Sequence, residues 1–157
     1  MKKSLLFALV LTFAIPLVSN AQLKKSSDLE RIKSFTNGSV SLYKSTIIGE
    51  ASNDTIEIYL VTLFNNSRYY DNVVLFLGEK EDMLKNLQDF SDALKNGKKG
   101  ESFEFDVWGH KYILSYRLVL GQRCFKVSTP NSSSHDFGNF FKSTIDDIIE
   151  YFNNIDE

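Results

Sequence analysis

The stretch from Glu101 to Ile155 constrains the fold most, because it sets two different periodicities one after the other. Phe103, Phe105 and Val107 alternate with Ser102, Glu104 and Asp106, the period-two pattern of a strand buried on one face. Further on, Phe137, Phe141, Ile145, Ile148, Phe152 and Ile155 recur at helical spacing, an apolar stripe that needs a broad apolar surface to lie on. A sheet with one apolar face supplies that surface, so the chain is expected to be α+β.

The rest of the sequence extends this pattern. Ser27 or Asp28 is placed to cap a short helix through Phe35, with Leu29, Ile32 and Phe35 on one side and Asn37-Gly38 ending it. Residues 39–48 and 55–64 read as strands, separated by a turn-forming run at 49–54. Asn65-Asn66-Ser67 reverses the chain into a strand at 69–77, whose unbroken Val73–Leu77 run predicts a central strand covered on both faces. Met83, Leu87, Phe90 and Leu94 then fall at helical spacing, with acids Glu79, Glu81 and Asp82 in the first turn and Gly97 at the C-terminal cap. Strands at 101–108, 110–119 and 122–129 follow, then a loop at 130–134, with Asp136 as cap of the last helix. Three strands and a helix thus occur twice, near 39–96 and 101–155, suggesting a duplicated βββα unit. The expected fold is one α+β domain over 22–157, a mostly antiparallel sheet of about six strands with both long helices on one face. One continuous sheet and two small packed sheets fit the pattern almost equally.

The N-terminus adds a compartment. Met1-Lys2-Lys3, an apolar run from Leu5 to Val18, and Ser19-Asn20-Ala21 have the form of a secretory signal peptide cleaved after Ala21. The run falls short of the roughly 20 apolar residues that a membrane helix needs. The expected product is exported, periplasmic or secreted, and soluble. Loss of Lys2 and Lys3 moves the net charge from −2 to −4, a mildly acidic balance that argues against phosphate-rich partners. Cys124 is the single cysteine, so an intramolecular disulfide is excluded.

Chemistry-bearing motifs are sparse. His110 and His135 have no second His or Cys at ligand spacing, so no metal or other cofactor is expected. Ser133, Ser134, His135 and Asp136 hold the letters of a catalytic triad, but adjacent residues cannot form its hydrogen-bond chain. Cys124 lies within a strand and reads as a buried inert thiol. Gly97-Lys98-Lys99-Gly100 lacks the length and the hydroxyl of a phosphate loop. Four Asn-x-Ser/Thr triplets, at Asn37, Asn53, Asn65 and Asn131, fall in predicted turns and read as turn chemistry, accessible if the source glycosylates such sites. Aromatic residues make up 13% of the chain, and Tyr69, Tyr70 and Trp108 lie at strand ends suited to a recognition surface. Tyr112 and Tyr116 share parity with Leu114 and Leu118 and are expected in the core. Trp108 shares parity with Ser102, Glu104 and Asp106 and should face away from it.

His110 to Leu118, then Gly121-Gln122-Arg123-Cys124-Phe125-Lys126-Val127-Ser128, then Phe140 to Phe152, together resemble a repeat of the purine-rich-element-binding (PUR) type. That family, in a wider group with Whirly-like folds, grips single-stranded nucleic acid on a sheet. The resemblance implies nucleic-acid-facing roles for Arg123 and Lys126, with Lys111 and Arg117 nearby. The sequence departs from the pattern at Gln122 and Cys124, where the family has Gly and an aromatic residue.

The expected function is therefore a non-catalytic exported module that binds a protein, peptide or glycan through the sheet surface left free by the helices. The candidate surface comprises Tyr69, Tyr70, Trp108, Lys111, Arg117, Arg123 and Lys126. The alternatives are a single-stranded nucleic-acid-binding sheet and an enzyme with an unrecognised site.

Overall fold

The computed structural model describes residues 29–48, 55–67 and 69–155. The predicted signal peptide at 1–21, the predicted cap at Ser27 or Asp28 and the predicted turn at 49–54 lie outside the described residues. Strand β1 spans Leu29–Phe35, β2 Val40–Ile48, β3 Thr55–Leu63 and β4 Val73–Gly78, followed by helix α1 at Lys80–Asn96. Strand β5 spans Ser102–Val107, β6 His110–Val119, β7 Gln122–Ser128 and β8 Gly138–Phe141, followed by helix α2 at Lys142–Ile155.

This overturns the expected sheet of about six strands with both helices on one face, and of the two arrangements left open, one sheet or two, the chain forms two. There are two four-stranded antiparallel sheets, β1-β2-β3-β4 and β5-β6-β7-β8, and one helix lies mid-chain, the other at the C-terminal end. The unit that recurs has four strands before its helix, not three. Two strands were hidden in helical spacing. Leu29, Ile32 and Phe35 sit three apart, yet this segment pairs with β2, and the phase is lost at an irregularity between Arg31 and Lys33. Only Thr36–Gly38 is helical there, as a 3-10 turn. Phe137 and Phe141 fall in phase with the α2 stripe, but Gly138–Phe141 is extended and pairs with β7, so the helix starts only at Lys142. Asp136 accordingly caps nothing.

The run Val73–Leu77, expected to be central, forms an edge strand, with Val74 exposed. It is apolar because Leu75 and Leu77 are fully buried in the core, and its Phe76–Gly78 end meets the second sheet. The Phe76 N–H donates to the Tyr112 hydroxyl at 3.2 Å, and a Cβ on Gly78 would sit 3.7 Å from Val107.

One core joins the halves. Leu42, Val61, Leu63, Leu75 and Leu77 from the first sheet meet Tyr112, Leu114, Tyr116, Phe125, Val127 and Phe140 from the second, with Leu87, Phe90, Leu94, Ile145, Ile148 and Phe152 from the helices. Burying a side chain of this size contributes about 2 kcal/mol. Phe90 meets Phe105 and Phe125 edge to face, and Phe152 meets Tyr59 the same way. The helices are also joined by Ser91, whose hydroxyl donates to Asp146 at 2.6 Å. Helix α1 carries Glu81 and Asp82 in its first turn and ends at Gly97, whose N–H reaches the Ala93 carbonyl. No helix among the described residues is long and apolar enough to cross a membrane.

Candidate functional site

Two connections of equal length, residues 64–72 between β3 and β4 and residues 129–137 between β7 and β8, meet where the sheets adjoin. Their junction is organised by Asn65, which is 2% exposed. Its Nδ2 donates to the Asp71 carbonyl at 2.9 Å and to Asp136 Oδ1 at 2.8 Å, while its Oδ1 accepts the Ser67 N–H at 2.8 Å. Asn65 also forms an antiparallel bridge to Gly138, and the Asn66 N–H donates to the Phe137 carbonyl at 2.8 Å. Glycine is required at 138 because a Cβ there would lie 2.5 Å from the Leu63 Cβ. The Asn-x-Ser triplet at Asn65 is thus a buried hydrogen-bond hub, contrary to the accessible site expected, whereas Asn131 is exposed.

Over this junction lies an open depression of about 750 Å³ lined by Phe64, Asn66, Ser67, Tyr69, Tyr70 and His135. Tyr69 is 82% exposed and Phe64 64%. The Tyr70 hydroxyl accepts a hydrogen bond from Ser133 across the junction at 3.1 Å, which holds its ring in place. The depression continues. Tyr70 also lines a second hollow with Val73, Val74, Thr129 and Asp136. Val74 and Thr129 pass into a third with Phe76, His110, Lys111 and Pro130. Lys111, Tyr112 and Pro130 lead into a fourth, bounded by Glu104, Phe105 and Asp106. Each hollow shares lining residues with the next, and the middle two are lined by Val73, Val74 and Phe76 of β4, so the row of adjoining hollows makes a groove that passes the outer edge of that strand. His110 stacks on Phe76 with ring centroids 4.4 Å apart, fixing the groove wall at that point.

The edge itself has hydrogen-bonding capacity. Because the Phe76 N–H points away from β3 to the Tyr112 hydroxyl, Val74, two residues earlier, presents its N–H and carbonyl in the same outward direction. Burial raises the Tyr112 pKa above that of a free phenol, partly offset by the hydrogen bond from Phe76.

The residues singled out from the sequence divide. Tyr69, Tyr70 and Lys111 line the groove. Trp108 is half exposed at the tip of the β5–β6 turn, with φ +51° beside Gly109. Lys111, Arg117 and Lys126 share one face of the second sheet by strand parity, but Arg123 lies on the opposite one, donating to the Leu94 and Lys95 carbonyls at the end of α1. Arg117 and Lys126 lie over the Phe137 ring, 5.1 and 4.5 Å from its centroid, and Lys126 also donates to the Ser134 carbonyl. The 129–137 connection therefore folds across part of the sheet face expected to be free. Tyr112 and Tyr116 are buried as expected, but Leu118 is exposed. Phe64 and His135, which also line the depression, were not among the residues singled out from the sequence. Phe64 continues the strand alternation of 55–64, and His135 stands in a Ser-rich loop, so neither carried a local signal.

Cys124 is buried, and burial pushes its thiol pKa up, away from nucleophilic use. Among the described residues no group of three or more His, Cys, Asp or Glu is placed to hold a metal ion. No family model, curated protein or solved structure matches this chain.

Proposed function

We propose that the protein is an exported, non-catalytic binding module that takes an extended polypeptide segment into the groove along β4. The carrying observation is the row of adjoining hollows: exposed aromatic rings at one end, an outward-facing strand edge at Val74 in the middle, and Lys111 at the other end. Extended peptides recognise sheets in this way, with main-chain hydrogen bonds to an open edge and side chains in flanking hollows. A glycan would use the rings but not the strand edge. The form of residues 1–21 supports export.

The test is selection from a random peptide library displayed on phage, followed by calorimetric titration of the selected peptides. Tyr70→Ala is expected to weaken binding roughly thirtyfold, as loss of an aromatic anchor does. Peptides that bind Tyr70→Ala and a Val74→Pro variant as tightly as the parent would refute the groove as the site. The nucleic-acid reading is supported by the shared face of Lys111, Arg117 and Lys126, but two of these cations are engaged on Phe137. It predicts salt-sensitive retention of single-stranded oligonucleotides.

A further inference from the structure

The far end of the second sheet carries a feature that the groove does not use. The β6–β7 turn consists of Leu120 and Gly121, both with positive φ, +50° and +78°. A two-residue turn of this kind favours Asn or Asp at its first position, and leucine has no conformational reason to be there. Leu120 is 99% exposed, and Leu118, two residues back, is 58% exposed. Around these leucines the fold gathers positive charge. Arg123 reaches the carbonyls of Leu94 and Lys95. The Tyr116 N–H donates to the Glu101 carbonyl at 2.9 Å, and Gly97 abuts the Tyr116 ring, so exposed Lys98 and Lys99 lie at the same corner. One acid, the exposed Glu101, lies at this corner, and its carboxylate accepts the Lys98 N–H at 2.9 Å, which leaves the lysines and Arg123 in excess.

We propose that this corner docks the protein peripherally on an anionic lipid bilayer, with Leu118 and Leu120 entering the interface and Lys95, Lys98, Lys99 and Arg123 facing the lipid phosphates. Apolar tips ringed by lysine and arginine combine the two contributions that hold a protein at such a surface, burial of hydrocarbon and attraction to anionic head groups. The basic corner is local, since the whole chain has a net charge of −2. A nucleic acid would use the cations but leave the leucines in water, which is why lipid is favoured. The placement also suits the groove. Strand β6 runs ten residues from His110 at the groove to Val119 at the tip, about 30 Å at the usual rise, so docking at one end leaves the other free.

The test is co-sedimentation of the purified protein with vesicles of phosphatidylcholine alone and of phosphatidylcholine mixed with phosphatidylglycerol. Binding is expected only to the anionic vesicles, weakening as salt rises. Leu120→Asn should reduce it about tenfold, and joint Lys98→Glu and Lys99→Glu roughly thirtyfold or more. Asn suits the turn better than Leu, so thermal melting of Leu120→Asn should be unchanged or raised, and lost binding cannot then be blamed on misfolding. No preference for anionic vesicles would overturn the proposal. So would full binding by Leu120→Asn, or lysine-dependent retention of a single-stranded oligonucleotide by a protein that ignores vesicles.

Discussion

Residues 64–72 and 129–137 hold equivalent positions in the two halves, each joining the third strand of its sheet to the fourth, yet they are built oppositely. The first turns its aromatic residues outward, with Phe64, Tyr69 and Tyr70 exposed. The second turns its one aromatic inward, with Phe137 buried under Arg117 and Lys126, and shows the polar run from Asn131 to His135. Exposed rings are useful for recognition only if their positions are fixed. The first connection supplies the rings, and the second fixes them through Asp136, Ser133 and the Phe137 carbonyl. Division of labour between equivalent loops is the lesson, and it can be broken piece by piece.

The largest effect is expected from Asn65→Ala, which removes the buried amide and leaves the half-buried Asp136 carboxylate, the Asp71 carbonyl and the Ser67 N–H without their partner. Stability measured by urea unfolding should fall by about 3 kcal/mol; a loss below about 1 kcal/mol would mean that the connections hold together without the hub. Gly138→Ala should cost about 2 kcal/mol in the same measurement, because the added methyl meets the Leu63 Cβ. Tyr70→Ala sharpens the contrast: unfolding should change by no more than about 0.5 kcal/mol, as for an exposed side chain, while peptide binding drops. The smallest effect concerns alkaline pH. The Tyr112, Tyr59 and Cys124 pKa values are all raised mainly by burial. Each group is held protonated in the folded state, so its contribution is present below the unfolded pKa and lost as pH rises through the folded one. Stability followed from pH 8 upward should therefore decline progressively from about pH 9, the ordinary thiol and phenol range, and a flat profile would contradict the burial of these groups.

Much of the fold was legible where period and burial agree. The alternation in β3 and β6 and the spacing of Met83, Leu87, Phe90 and Leu94 in α1 identified their elements. β1 and β8 escaped because spacing of three or four is also satisfied by chance in a short or irregular strand, as with Leu29, Ile32 and Phe35. Tyr69 and Tyr70 were recognisable as aromatics beside a turn. The groove was not, since its walls come from two sheets, and Asn65 looks like any turn asparagine until Asp136 is brought to it from the other half of the chain. Arg123 was grouped with Lys126 although strand pairing puts them on opposite faces.

The most direct measurement is titration of isotope-labelled protein with a library-selected peptide, read from backbone amide resonances. The groove predicts shifts concentrated at Tyr69, Tyr70, Val74 and residues 129–131, with the Val74 amide newly protected from hydrogen exchange as it gains a partner. Shifts gathered instead at residues 118–123, or spread over the Arg117 and Lys126 face with Val74 unmoved, would contradict it.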